Sequence, residues 1–89
     1  MTETIENKRK RLIFRSWHRG TREMDLLLGR FAEIHVPCFS DDELVQYDNL
    51  LMENDPDLYK WYTGREKPPS NIHCDVLEKF INFDFSKHS

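Results

Sequence analysis

Residues able to ligate a metal or act as nucleophiles fall in two close pairs, His35 with Cys38 and His73 with Cys74. Imidazole and thiolate groups suit a tetrahedral zinc site. The spacings His-x-x-Cys and His-Cys do not match the usual paired motifs, and Cys38 follows Pro37 in a connector. A free cysteine is also a common small core residue. The expectation is therefore no metal ligand. His18 with Glu23, or Cys38 with His35, can be drawn as a catalytic dyad. Such pairs arise by chance in a chain with 4 His and 16 Asp and Glu. The sequence has no glycine-rich phosphate loop and no nucleophile elbow. A chain of 89 residues also offers little concavity for a water-excluded site. No catalytic residue and no enzyme activity are expected.

The remaining chemistry is electrostatic. Residues 1–30 carry a formal charge of +4, residues 31–57 carry −8 with no Lys or Arg, and residues 58–89 carry +1. Such an asymmetry can steer association with a charged partner. The run Lys8 to Arg11, with Arg15, Arg19 and Arg22, forms a basic stripe. The net charge of −3 argues against a dedicated nucleic-acid binder. The most unusual segment is Arg19-Gly20-Thr21-Arg22-Glu23. One reading is local: Gly20 takes the left-handed position that ends a helix, Arg19 complements that helix's C-terminal end, and Glu23 sits in the first turn of the next. The other is functional: a tight, charged corner, thinned by glycine, lets another backbone approach closely. Spacing alone weighs the two equally.

Helical periodicity positions these residues. A first helix is predicted over 3–18, with Ile5, Leu12, Ile13 and Trp17 inward and Lys8–Arg11 around the outer face. A second runs over 21–35 on the stripe Met24, Leu27, Leu28, Phe31 and Ala32, ending before Pro37. Ser40-Asp41-Asp42-Glu43 is a capping box that starts a third helix, with Leu44, Tyr47 and Leu51 inward. Asp55-Pro56 opens a short fourth, with Asp55 as N-cap, Leu58, Trp61 and Tyr62 packing, and Gly64 as its stop. After a loop containing Pro68-Pro69, a fifth runs over 72–83 with Val76, Leu77, Phe80 and Ile81 inward. The fold class is all-α: one compact five-helix bundle over 1–89, with an ordered core over 5–83 and a flexible tail over 84–89.

Three motifs in order resemble one family. Arg19-Gly20-Thr21-Arg22-Glu23-Met24-Asp25 looks like the Arg-Gly-x-x-Glu signature of the SdhE family, the FAD assembly factors of succinate dehydrogenase. Phe39-Ser40-Asp41-Asp42-Glu43 resembles that family's start of helix three. Asp55-Pro56-Asp57-Leu58-Tyr59-Lys60-Trp61 resembles its Asp-Pro-Asp-Leu-x-x-Trp box, with Pro68 shortly after. The resemblance spans residues 8–69. It implies a five-helix bundle that binds the flavoprotein subunit of succinate dehydrogenase, or of the related fumarate reductase, and promotes covalent attachment of FAD to a histidine there. Arg19, Gly20 and Glu23 map onto its partner-contacting signature. Lys8 to Arg11, Arg15, Arg22 and Asp25 are close enough in sequence to extend that surface. The segment after Ser70 carries no recognised motif.

The same reading implies no cofactor of the chain's own, since no phosphate-cradling loop suggests direct contact with FAD. The polar surface suggests a monomer. No apolar run approaches the ~20 residues of a membrane span. The first residues make no secretory signal, and Glu3 and Glu6 interrupt the acid-poor pattern of a transit peptide. The bacterial cytoplasm is therefore expected over the mitochondrial matrix. The alternative function is an antitoxin-like or regulatory interaction module.

Overall fold

The computed structural model describes residues 3–87. Among them five α-helices form and no strand does: α1 Ile5–Trp17, α2 Arg22–His35, α3 Asp41–Leu50, α4 Asp55–Thr63 and α5 Asp75–Ile81. Two 3-10 turns, Val36–Cys38 and Phe85–Lys87, follow α2 and α5. The helix bundle expected from periodicity is the observed architecture. α1 lies along α2, while α3 packs on α1 and α5, and α4 on α5.

The α2 stripe is buried as expected, from Met24 through Ala32. Phe31 sits at the centre of the core, its ring 5.7 Å from Tyr47, 5.4 Å from Phe80 and 5.5 Å from Phe83. The Phe80 and Phe83 contacts are edge-on, the arrangement that the ring quadrupole favours. These rings arrive from α2, α3, α5 and the residues after α5. Leu12 of α1 and Leu58 and Trp61 of α4 complete the same core cluster.

Several local expectations need correction. Ile5 is 43% exposed, because the inward face of α1 passes through Leu12 and Ser16 instead. Ser16 is tolerated in the core because its hydroxyl donates to the Leu12 carbonyl, which leaves its oxygen to accept from the Tyr47 hydroxyl. Burial pushes the Tyr47 phenol upward and keeps it a donor. Asn54, not Asp55, caps α4, accepting from the Asp57 amide. α5 starts at Asp75 rather than at residue 72, because the Pro69 carbonyl holds the Ile72 and His73 amides in a turn. The tail expected from Asp84 begins with the 3-10 turn, which lays Phe85 against the core. His88 and Ser89 lie outside the described residues. Gly64 does end α4 in the left-handed region, at φ 77°.

Gly29 was not singled out by its sequence. A Cβ there would overlap the Trp17 indole. Its absence lets α1 and α2 close on each other, with the Arg30 guanidinium 5.4 Å from the Trp17 ring. Helix propensity alone would favour Gly29→Ala by about 1 kcal/mol. Steric overlap should reverse the sign. We expect Gly29→Ala to destabilise the fold by about 1–3 kcal/mol in urea unfolding followed by circular dichroism. A stabilised variant would show that this contact does not constrain the pair.

Candidate functional site

The corner between α1 and α2 holds the residues singled out above. α1 ends at Trp17, and the His18 amide donates back to the Arg15 carbonyl. Thr21 then caps α2, accepting from the Met24 amide. Arg19 and Gly20 lie between, and both are committed to their own chain. Arg19 Nε donates to Asp55 Oδ1 at 2.8 Å, Nη1 to the Leu51 carbonyl at 2.9 Å and Nη2 to the Glu53 carbonyl at 2.8 Å. The Gly20 amide takes the other Asp55 oxygen at 2.8 Å. The Arg19 amide donates to Asp25 Oδ1. The Arg19 and Asp55 side chains are only 11% and 14% exposed.

The physics of four helix ends meets in this clasp. The guanidinium lies on the Leu51 carbonyl at the C-terminal end of α3, where a cation is favoured, and on the Glu53 carbonyl just beyond it. The Asp55 carboxylate stands at the start of α4, where an anion is favoured. The same pair joins these ends to the close of α1 and the start of α2. Gly20 permits a close approach. It does not adopt the left-handed conformation expected of it, since Gly64 is the one described residue with positive φ. A Cβ on Gly20 would lie 3.2 Å from Asp55 Oδ2, crowding the carboxylate that its amide binds.

The predicted site residues therefore separate into three groups. Arg19, Gly20 and Asp25 build the clasp. Arg22 and Glu23 are exposed beside it, and their side chains form no hydrogen bond or ion pair among the described residues. Arg11 and Arg15 are elsewhere, on the α3 residue Asp48, at 3.1 and 2.7 Å. Arg11 also holds Glu3 at 2.9 Å. Arg9 turns inward to the Val36 and Phe39 carbonyls, so Lys8–Arg11 is not a continuous outer stripe. Part of the charge asymmetry is thus satisfied within the fold, through Asp48 and Asp55. The Arg11 hydrogen bond, with the charges of Arg11 and Arg15, holds the Asp48 carboxyl below its ordinary range despite partial burial. Sequence reasoning missed Asp48 and Asp55 as partners. One signal for Asp55 existed: the preceding Asn54 is an equally good cap, which leaves the Asp55 carboxylate free.

Both cysteines are free, Cys38 exposed and Cys74 half-buried. His73 Nε2 lies 2.9 Å from Glu78 Oε2. Among the described residues, no group of three His, Cys, Asp or Glu side chains gathers as a metal site would require. No described helix is long and apolar enough to cross a membrane.

The sequence model of a family described as the flavinator of succinate dehydrogenase matches residues 10–84. The chain belongs to that family. The match includes the clasp, the capping box and residues 71–84 of the segment that carried no recognised motif. Among curated relatives, the chain is 40% identical to succinate dehydrogenase assembly factor 2, mitochondrial, of Candida glabrata, over 98% of this chain and 60% of that protein. The protein of the same name from Scheffersomyces stipitis is 52% identical over 68% of the chain and 41% of its own length. That from Dictyostelium discoideum is 36% identical over 83% of the chain and 52% of its own length. The chain spans about half the length of these flavinator-family relatives. Their names overturn the expectation of a bacterial cytoplasm. That expectation leaned on Glu3 and Glu6, but the relatives extend well beyond the matched part, so those residues are no guide to compartment. The antitoxin-like alternative draws no support from the matches.

Two outcomes test the ion pairs. Asp55→Ala strands the Arg19 charge at a nearly buried position and should cost about 2 kcal/mol in urea unfolding. Arg19→Met combined with Asp55→Ala should cost less than the sum of the two single changes, and strict additivity would rule out the clasp. At Asp48, a carboxyl depressed in the folded state adds stability above its unfolded pKa. That stability is lost as pH falls below about 4 and through the folded value. Asp48→Asn should therefore lower the melting temperature at pH 7, with the gap to wild type closing toward pH 2.

Proposed function

We propose that this chain binds the flavoprotein subunit of succinate dehydrogenase in the mitochondrion and promotes covalent attachment of FAD to that subunit. The chain contributes no catalytic residue, and the FAD is held by the partner. The observation that carries this reading is the exposed Arg22–Glu23 edge, set beside a clasped corner in a chain of the flavinator family. Arg19 supports the edge from within. Glu23 is the signature residue that remains available to a partner, together with the backbone surface at Gly20.

Joining a flavin to a side chain requires the two to be held in a near-attack geometry. A small helical protein supplies this by binding one conformation of the subunit more tightly than the others. A preference of about 3 kcal/mol shifts the ratio of two conformations roughly a hundredfold. One or two well-packed contacts reach that scale. The free protein is a monomer in this reading, in keeping with its polar surface.

The test is flavin fluorescence of the denatured flavoprotein subunit, produced in cells lacking their own assembly factor, with and without this protein. Covalent flavin should rise when the protein is supplied. Glu23→Ala should return it toward the level without the protein, with stability changed by no more than about 0.5 kcal/mol. If Glu23→Ala lost helical circular dichroism together with activity, the edge would be structural and the assignment wrong.

A further inference from the structure

Beside the clasp, Glu23 forms the rim of an apolar groove that runs between α2, α4 and the C-terminal 3-10 turn. Leu26 and Leu27 make its floor, and Tyr59, Tyr62 and Phe85 its walls. Its volume is about 250 Å³, below that of sites holding cofactor-sized ligands, which start near ~300 Å³. The walls are held in place. The Tyr62 hydroxyl donates to the Phe83 carbonyl at 2.7 Å, pinning the approach to the turn that carries Phe85. The Tyr62 ring packs 5.2 Å from Phe80. Tyr59 stays 38% exposed. Glu23 is the one charged group lining the groove, and nothing among the described residues neutralises it.

We propose that this groove seats one arginine side chain of the flavoprotein subunit, an inference that rests on the function proposed above. The complementarity is specific. An unpaired carboxylate at the rim calls for a cation. Aromatic walls attract a cation through their faces. The apolar floor suits a long aliphatic stem with its charge held at the edge. Arginine meets all three requirements better than lysine, because its planar guanidinium stacks on rings while its fork meets a carboxylate. The segment after Ser70 then has a role: it supplies Phe85 to the groove's lining.

The experiment is calorimetric titration of the full chain into the purified flavoprotein subunit at low and moderate salt. It is paired with modification of the subunit's arginines by a dicarbonyl reagent. Tyr59→Ala on α4 and Phe85→Ala on the C-terminal turn should each weaken binding about tenfold. Glu23→Gln should weaken it and flatten its dependence on salt. Wild-type protein should protect one subunit arginine that Tyr59→Ala leaves reactive. Val45→Ala, an exposed α3 change beside Ile5, should do neither. Circular dichroism melts verify that each variant is folded. If wild type and both wall variants bind equally, or if no arginine is protected, the groove assignment falls and the subunit-binding reading stands. If wild type does not bind the subunit at all, both fall. A dimer in sedimentation that Tyr59→Ala dissolves would give the groove to a second copy of the chain and overturn the proposal.

Discussion

The pairing of Arg19 with Asp55 is the contact on which the geometry of this molecule turns. Desolvating two charges is unfavourable unless their remaining hydrogen-bonding groups are also satisfied. Here the guanidinium meets a carboxylate and two backbone carbonyls, and the carboxylate also receives the Gly20 amide. Replacing such a pair by apolar residues of similar size can be nearly neutral for stability. Its contribution lies in orientation. Four helix ends are brought to one point with their dipoles matched to the charges between them.

That arrangement decides what is left for a partner. An arginine in a recognition motif invites the reading that it touches the bound protein. Its placement here gives it the opposite direction, into the connection between α3 and α4. The same holds for Arg11 and Arg15, which draw α1 onto α3 through Asp48. Through Asp48 and Asp55, part of the charge asymmetry thus acts as internal fasteners. Of the corner's own charged residues, Arg22 and Glu23 stay exposed, beside the apolar groove that Glu23 helps to line.

Features set by neighbours in sequence were legible without coordinates. The capping box at Ser40 and Glu43 forms both of its hydrogen bonds. The α2 stripe is buried and Gly64 stops α4. Features set by distant residues were not. Ser16 reads as a surface residue until Tyr47, 31 positions away, supplies its partner. Gly29 reads as a weak point in a helix until Trp17 is laid against it. Asp55 reads as a cap because capping is a local rule, and the stronger claim on its carboxylate comes from across the fold. The corner that carries the candidate residues was therefore legible in the chain as a connection between two helices. Its division into inward and outward residues depended on contacts that leave no periodic trace.

The Arg19–Asp55 contact spans 36 positions. Helices with local bonds form early, whereas a contact of this span must wait for a long loop to close. A chain grown only through α2 holds the Arg-Gly-x-x-Glu residues but not the carboxylate that orders them. The corner acquires its shape when α3 and α4 have docked. The edge proposed to meet the flavoprotein subunit is thereby tied to the maturity of the chain, and a half-made chain does not yet display it.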